Sequence, residues 1–241
     1  MRTAAQCAAI AFAAALLCAG VAASAAPFED TMAQRVLACT GCHGPQGRAA
    51  ADGYYPRIAG KPAGYLYNQL LNFRDGRRPY ALMNGLLAPL DDAYLNEIAR
   101  HFAGVDLPYP AAAATDLSEA QRRRAARLVA EGDPARSLPA CTACHGAAMT
   151  GTAPFVPGLI GLPRDYLNAQ LGAWRAGKRS AQAPDCMAQV AKALGPDEIG
   201  QLSAWLAAQP IPANAKPAVR FAAPLPIDCG GVVAAADKAP P

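Results

Sequence analysis

Cys39-Thr40-Gly41-Cys42-His43 returns 102 residues later as Cys141-Thr142-Ala143-Cys144-His145, and this pair of pentapeptides decides how the rest of the chain is read. C-x-x-C-H is the attachment signature of a c-type haem. Two thiols three positions apart lie on one side of a helical turn, where they can add to the two vinyl groups along one edge of a porphyrin. The histidine that follows then sits beneath the macrocycle and ligates the iron. Zinc sites made of two C-x-x-C pairs keep the pairs within roughly 12–20 residues, whereas about a hundred intervene here. A thioredoxin-like dithiol needs a strand–helix–strand frame, and no β-rich run precedes either motif. Neither alternative explains a histidine after both second cysteines. The sequence therefore predicts two covalently bound haem c groups, held by Cys39, Cys42, Cys141 and Cys144, with His43 and His145 as iron ligands.

Each motif heads a copy of a longer pattern, and such self-similarity outranks any single motif. Pro56-x-x-x-Gly60-x-Pro62-x-x-Tyr65-Leu66-x-x-Gln69-Leu70 matches Pro157-x-x-x-Gly161-x-Pro163-x-x-Tyr166-Leu167-x-x-Gln170-Leu171. Phe73 meets Trp174, Gly76 meets Gly177, and Arg77-Arg78 meet Lys178-Arg179. Met83 meets Met187 after a three-residue insertion in the second copy. The chain divides into a leader (1–25), a first haem domain (26–105), a linker (106–116), a second haem domain (117–209) and a Pro/Ala-rich tail (210–241).

Both halves read as all-α. Ser118 with Gln121 forms a capping box that opens a helix running to about Ala130. Tyr65, Leu66, Gln69, Leu70 and Phe73 recur at helical spacing, with Gly76 as the stop. The matching helix runs from Pro163 towards Gly177. Asp91 caps a third helix with Leu95, Ile98, Ala99 and Phe102 on one face. Its counterpart starts at Pro196 and carries Ile199, Leu202, Trp205 and Leu206. Gly and Pro crowd the stretches around both methionines, so Met83 and Met187 are expected in turns. A domain of this size has a marginal core by itself, and a central haem supplies the apolar surface on which three or four short helices pack.

Met1-Arg2, an apolar run from about Ala8 to Ala23 and the small residues Ala23-Ser24-Ala25 read as a signal peptide cleaved after Ala25. The mature chain is then an exported, periplasmic protein. Of eight cysteines, Cys7 and Cys18 leave with the leader and four serve the haem motifs. Cys186 and Cys229 remain. An oxidising compartment favours a disulfide between them; two free buried thiols are the other reading.

The occupant of the sixth iron position decides function: an open site favours catalysis, a protein ligand favours electron transfer. Met83 follows His43 by 40 residues and Met187 follows His145 by 42. Met32 and Met149 have no counterparts in the repeat. Methionine also fills gaps in cores, but the paired placement favours Met83 and Met187 as axial ligands. His101 falls inside the third helix and aligns with Trp205, which suggests packing or surface exposure.

Taken together, these residues resemble the two-haem class I cytochromes c of the cytochrome c4 type, over the mature chain to about Gln209. The resemblance rests on both C-x-x-C-H motifs, both Pro-x-x-x-Gly-x-Pro segments, Tyr-Leu-x-x-Gln-Leu, the Gly-Arg-Arg and Gly-Lys-Arg turns, and both methionine segments. It implies two tandem cytochrome c-like domains that pass electrons between neighbouring haems. His43 with Met83 and His145 with Met187 are the implied axial pairs. The carbonyls of Pro56 and Pro157 are the implied acceptors for the ligand histidines' second nitrogens. Cys186 beside Met187 and the tail with Cys229 depart from the family pattern.

The formal charge is +4, and loss of Arg2 with the leader leaves 21 minus 18, or +3. Such a balance steers the protein to no partner class. Arg122-Arg123-Arg124 sit on different sides of a helix and read as a solvated face, so nucleic acid is not an expected partner. Arg77, Arg78, Lys178 and Arg179 read as counter-charges for haem propionates, as contacts for an acidic partner, or as ordinary exposed loops. The expected partners are redox proteins: an upstream donor and a terminal oxidase or reductase. No small-molecule substrate is expected. A cytochrome subunit of a dehydrogenase complex, including a membrane-associated one, with the tail docked on its partner, is the alternative; a dihaem peroxidase is a weaker one.

Overall fold

A computed structural model describes residues 30–50 and 53–232. The leader and the last nine tail residues, 233–241, lie outside the described residues.

The first half opens with α1 (Met32–Arg35) and α2 (Leu37–His43), which ends on the ligand histidine. A 3₁₀ turn over Pro45–Gly47 follows, then α3 (Ala63–Arg74), α4 (Ala81–Leu87) and α5 (Asp92–Ala103). Asp91 caps α5 as expected, its Oδ1 accepting from the Tyr94 amide at 2.8 Å. The predicted face of α5 is the buried one: Leu95, Ile98, Ala99 and Phe102 are all at most 5% exposed. They pack with Val36, Leu66, Leu71 and Leu87 into one cluster, where α3 lies across α5. Each large apolar side chain buried there contributes about 1.5–3 kcal/mol.

The second half repeats the scheme with α6 (Glu119–Glu131), α7 (Cys141–His145), α8 (Arg164–Arg175), α9 (Cys186–Ala193) and α10 (Pro196–Ala207). Ser118 and Gln121 form the expected reciprocal cap on α6. α10 packs on both α6 and α8, around Leu128, Leu138, Leu167, Ile199, Leu202 and Leu206. Met149 is buried in this cluster at 4% exposure, as a core residue.

Two local features differ from expectation. Met83 and Met187 lie not in turns but inside α4 and α9, of seven and eight residues. Helices this short span two turns, too few for a periodic pattern to show against flanking Gly and Pro. Asp185 makes the second possible by accepting from the Ala188 amide at 3.0 Å. A hairpin of two-residue strands, β1 (Gly151–Thr152) and β2 (Val156–Pro157), also appears in the second half. Two residues per strand carry no readable alternation.

The halves are joined by the linker and the tail. Arg57 donates to the carbonyls of Leu107 and Pro108 at 2.6 and 2.8 Å, with its guanidinium 4.1 Å from the centre of the Tyr109 ring. Tyr109 in turn occupies the space a side chain at Gly161 would need. The tail joins the second half rather than projecting from it. Ala218 exchanges backbone bonds with Gly151 and Ala153 at 2.9 and 2.7 Å, and Cys229 is bonded to Cys186. Asn68 of α3 donates to Gly231 at 2.6 Å, so the tail also reaches the first half. The stretch 210–232 is therefore engaged with both halves of its own chain.

Candidate haem-binding site

A single cavity of about 860 Å³ runs between the halves, and Cys39, Cys42, His43, Met83, Cys141, Cys144, His145 and Met187 all line it. That volume sits high in the usual range for cofactor sites. Each C-x-x-C-H motif is a short helix, so both thiols and the imidazole project from consecutive turns. Gly44 and Gly146 end these helices with φ of 74° and 79°, a left-handed bend that glycine adopts without strain.

The histidines have their outer nitrogens occupied. His43 Nδ1 donates to the Pro56 carbonyl at 2.8 Å, and His145 Nδ1 donates to the Pro157 carbonyl at 2.8 Å. That bond fixes the tautomer and leaves Nε2 with a free lone pair. Burial pushes both imidazoles below their ordinary pKa, keeping them neutral, the form that binds iron. Burial likewise raises the Cys39 and Cys144 thiols and pushes Cys141 up to about 11. Burial of this kind disfavours the thiolate form that a zinc site requires. Among the described residues no cluster of three or more His, Cys, Asp or Glu is placed to hold a metal ion.

The polar part of the cavity lies on the seam. Arg78 donates to Gln69 at 3.0 Å, to Gln170 at 2.7 Å and to the Tyr166 hydroxyl at 3.1 Å. Arg179 donates to Gln170 and, at 2.8 Å, to Gln69. Gln69 and Gln170 are repeat equivalents, as are Arg78 and Arg179, so each guanidinium holds both glutamine oxygens. Arg179 is 5% exposed and stacks 3.6 Å from the centre of the Trp174 ring. Burial pushes it down to about 10, which leaves it charged at neutral pH. Neither arginine makes an ion pair among the described residues, and Arg179 Nε has no partner. Two uncompensated guanidiniums on an otherwise apolar cavity fit a group that brings its own carboxylates, as haem does. The residues present thus fit haem at its vinyl groups, its iron and its acid edge.

This revises the basic residues. Arg78 and Arg179 are not ordinary loop charges: their terminal nitrogens brace the seam, and Arg179 Nε is left without a partner there. Arg77 stays at the surface with Asp75 at 2.8 Å, and Lys178 is exposed. Arg122, Arg123 and Arg124 are all exposed, as expected; Arg124 pairs with Glu198 at 3.0 Å, while Arg122 and Arg123 pair with Glu119 on their own helix. His101 stands outside the cavity, its ring 5.1 Å from that of Phe102. The seam was missed in the sequence although its signal was present: Gln69 and Arg78 recur in register as Gln170 and Arg179.

The cytochrome c family model matches residues 123–209. The thiosulfate dehydrogenase electron acceptor of Stutzerimonas stutzeri is 37% identical over 71% of this chain and 78% of its own length. Cytochrome c4 of Pseudomonas aeruginosa is 31% identical over 71% of this chain and 84% of its own. The crystal structure of reduced cytochrome c4 from Pseudomonas stutzeri superposes with a TM-score of 0.62 at 29% identity, over 73% of this chain and 95% of that one. The two pentapeptides, the helices built on them and these similarities agree: the chain belongs to the cytochrome c family, as an electron-transfer protein of the cytochrome c4 type that holds haem c covalently.

Proposed function

We propose that this protein is a periplasmic carrier with two haem c groups that accepts electrons singly from an enzyme oxidising a small sulfur anion. Cys39 and Cys42 hold the first haem and Cys141 and Cys144 the second. His43 with Met83, and His145 with Met187, complete the iron coordination. Haem iron supplies a reversible one-electron step; the chain supplies the rest. Pro56 and Pro157 orient the imidazoles, the apolar walls exclude water, and Arg78 and Arg179 balance the acid edge. Thioether ligation favours the reduced iron relative to a second imidazole and leaves no open position for a substrate, which suits a carrier rather than a catalyst.

The observation that carries this reading is the placement of all eight attachment and ligand residues on one cavity. Two adjacent haems give an electron a short path through the protein. Thiosulfate as the source of electrons is supported by the 37% identity to a thiosulfate dehydrogenase electron acceptor, against 31% to a cytochrome c4. A shuttle serving a terminal oxidase is the second reading, favoured by the cytochrome c4 similarity.

Stopped-flow mixing separates them. Oxidised holoprotein mixed with thiosulfate and a thiosulfate dehydrogenase is expected to become fully reduced, two electrons per chain, while thiosulfate alone does nothing. Failure of the dehydrogenase to accelerate reduction overturns the sulfur-oxidising assignment, and a haem content of one per chain overturns the two-haem reading.

A further inference from the structure

Lys61 belongs to the first half yet acts on the second. It is 4% exposed, and its Nζ donates to the carbonyl of Gly158 at 2.9 Å across the seam. Gly158 follows Pro157, whose carbonyl accepts from His145. The ammonium thus sits one peptide unit from the group that holds the second iron's histidine, and it lines the same cavity. Among the described residues no carboxylate pairs with it, and the charge it feels is another cation, Arg57.

The repeat makes this arrangement one-sided. Lys61 aligns with Leu162, a buried member of the second core at 7% exposure, so no ammonium crosses in the other direction. A sealed ammonium with one carbonyl partner is costly to bury. Leucine in the equivalent place shows that the fold itself does not need the charge.

We propose that Lys61 raises the reduction potential of the second haem. The inference rests on His145 being an iron ligand. Oxidised iron carries one more positive charge than reduced iron, so a fixed cation in a low-dielectric seam favours the reduced state. The same field weakens the Pro157 carbonyl as an acceptor, which leaves His145 a less basic ligand and acts in the same direction.

Potentiometric titration of the holoprotein tests this, with haem-methyl NMR signals distinguishing the two couples. It is run at pH 6, below the value of about 7 to which burial pushes Lys61, so that the side chain is charged. In Lys61→Met the reduction constant of the second haem is expected to fall about tenfold, which for a one-electron couple is about 59 mV. The first haem moves less, and Lys61→Arg keeps the second high. Lys61→Gln supplies a second neutral side chain should Lys61→Met fail to assemble. Unchanged couples in the neutral variants, equal shifts of both, or a fall in Lys61→Arg as large as in Lys61→Met each overturn the proposal. A pyridine haemochrome count below two per chain in the unmodified protein overturns the haem assignment instead.

Discussion

Arg179 reaches across the seam to Gln69, donating to its Oε1 at 2.8 Å, and Arg78 reciprocates with Gln170 at 2.7 Å. The result is a crossed brace between two α-helices that are equivalent in the repeat, α3 and α8. Because the brace is buried and charged, each half presents a surface it cannot satisfy alone. Gly64 of α3 adds to this closeness: a side chain there would collide with Phe155 of the other half.

Removing the brace should loosen the seam before it unfolds either half. Arg179→Ala is expected to cost about 2–3 kcal/mol in denaturant unfolding of the holoprotein, because it strips charged hydrogen bonds from buried partners. Gln69→Ala combined with Arg179→Ala should couple by about 1 kcal/mol in a double-mutant cycle. Lys178→Ala, next door and exposed, should fall within about 0.5 kcal/mol of the unmodified protein.

Methionine ligation has an optical signature. Met187→Ala is expected to halve the weak red band of sulfur–iron bonding in the oxidised protein and to admit cyanide at one haem per chain. Met83→Ala should do the same at the other haem, and the double variant should lose the band entirely. Retention of the full band in either single variant contradicts the axial pairing.

The Cys186–Cys229 bond closes a loop of 43 residues, worth about 4 kcal/mol in the chain-entropy account. Cys186→Ser with Cys229→Ser should therefore lower the thermal midpoint of the second half. Since Cys186 precedes Met187 on α9, the sulfur–iron band of the second haem should fade at lower temperature than that of the first. A single unchanged melt followed by both bands contradicts this.

Glu198 links stability to pH. It is 6% exposed, and hydrogen bonds from Arg136, the Gly195 amide and Arg124 hold its carboxyl down at about 2. A folded pKa below the unfolded value near 4.5 means stability that is full above that value and lost as pH falls towards 2. The contribution is at most about 3 kcal/mol. Glu198→Gln should destabilise the protein at pH 7 and converge with the unmodified protein near pH 2, as measured by denaturant midpoints across that range.

Much of the fold was legible because helices write themselves locally. Ser118 and Gln121 cap α6, Asp91 caps α5, and Leu95 to Phe102 mark its buried face, all through contacts within a turn or two. The short helices of Met83 and Met187 were not legible, because two turns among glycines and prolines leave no period to read. The hairpin around Pro154 was invisible for the same reason. At the site, the pentapeptides named their own chemistry, and the spacing of the repeat singled out the methionines from Met32 and Met149.

What the sequence determined by itself is therefore everything carried by short-range order: two haem motifs, two helical halves and the residues equivalent between them. What only the tertiary structure decided lies between the halves. Gln69 and Arg179 are 110 residues apart, and no periodicity says that they touch. Nor does any say that Lys61 crosses to Gly158 where Leu162 does not cross back, or that the tail folds onto the second half. Contacts at such separations are set by how two surfaces fit, and burial alone turns ordinary loop cations into a charged seam beside the haem sites.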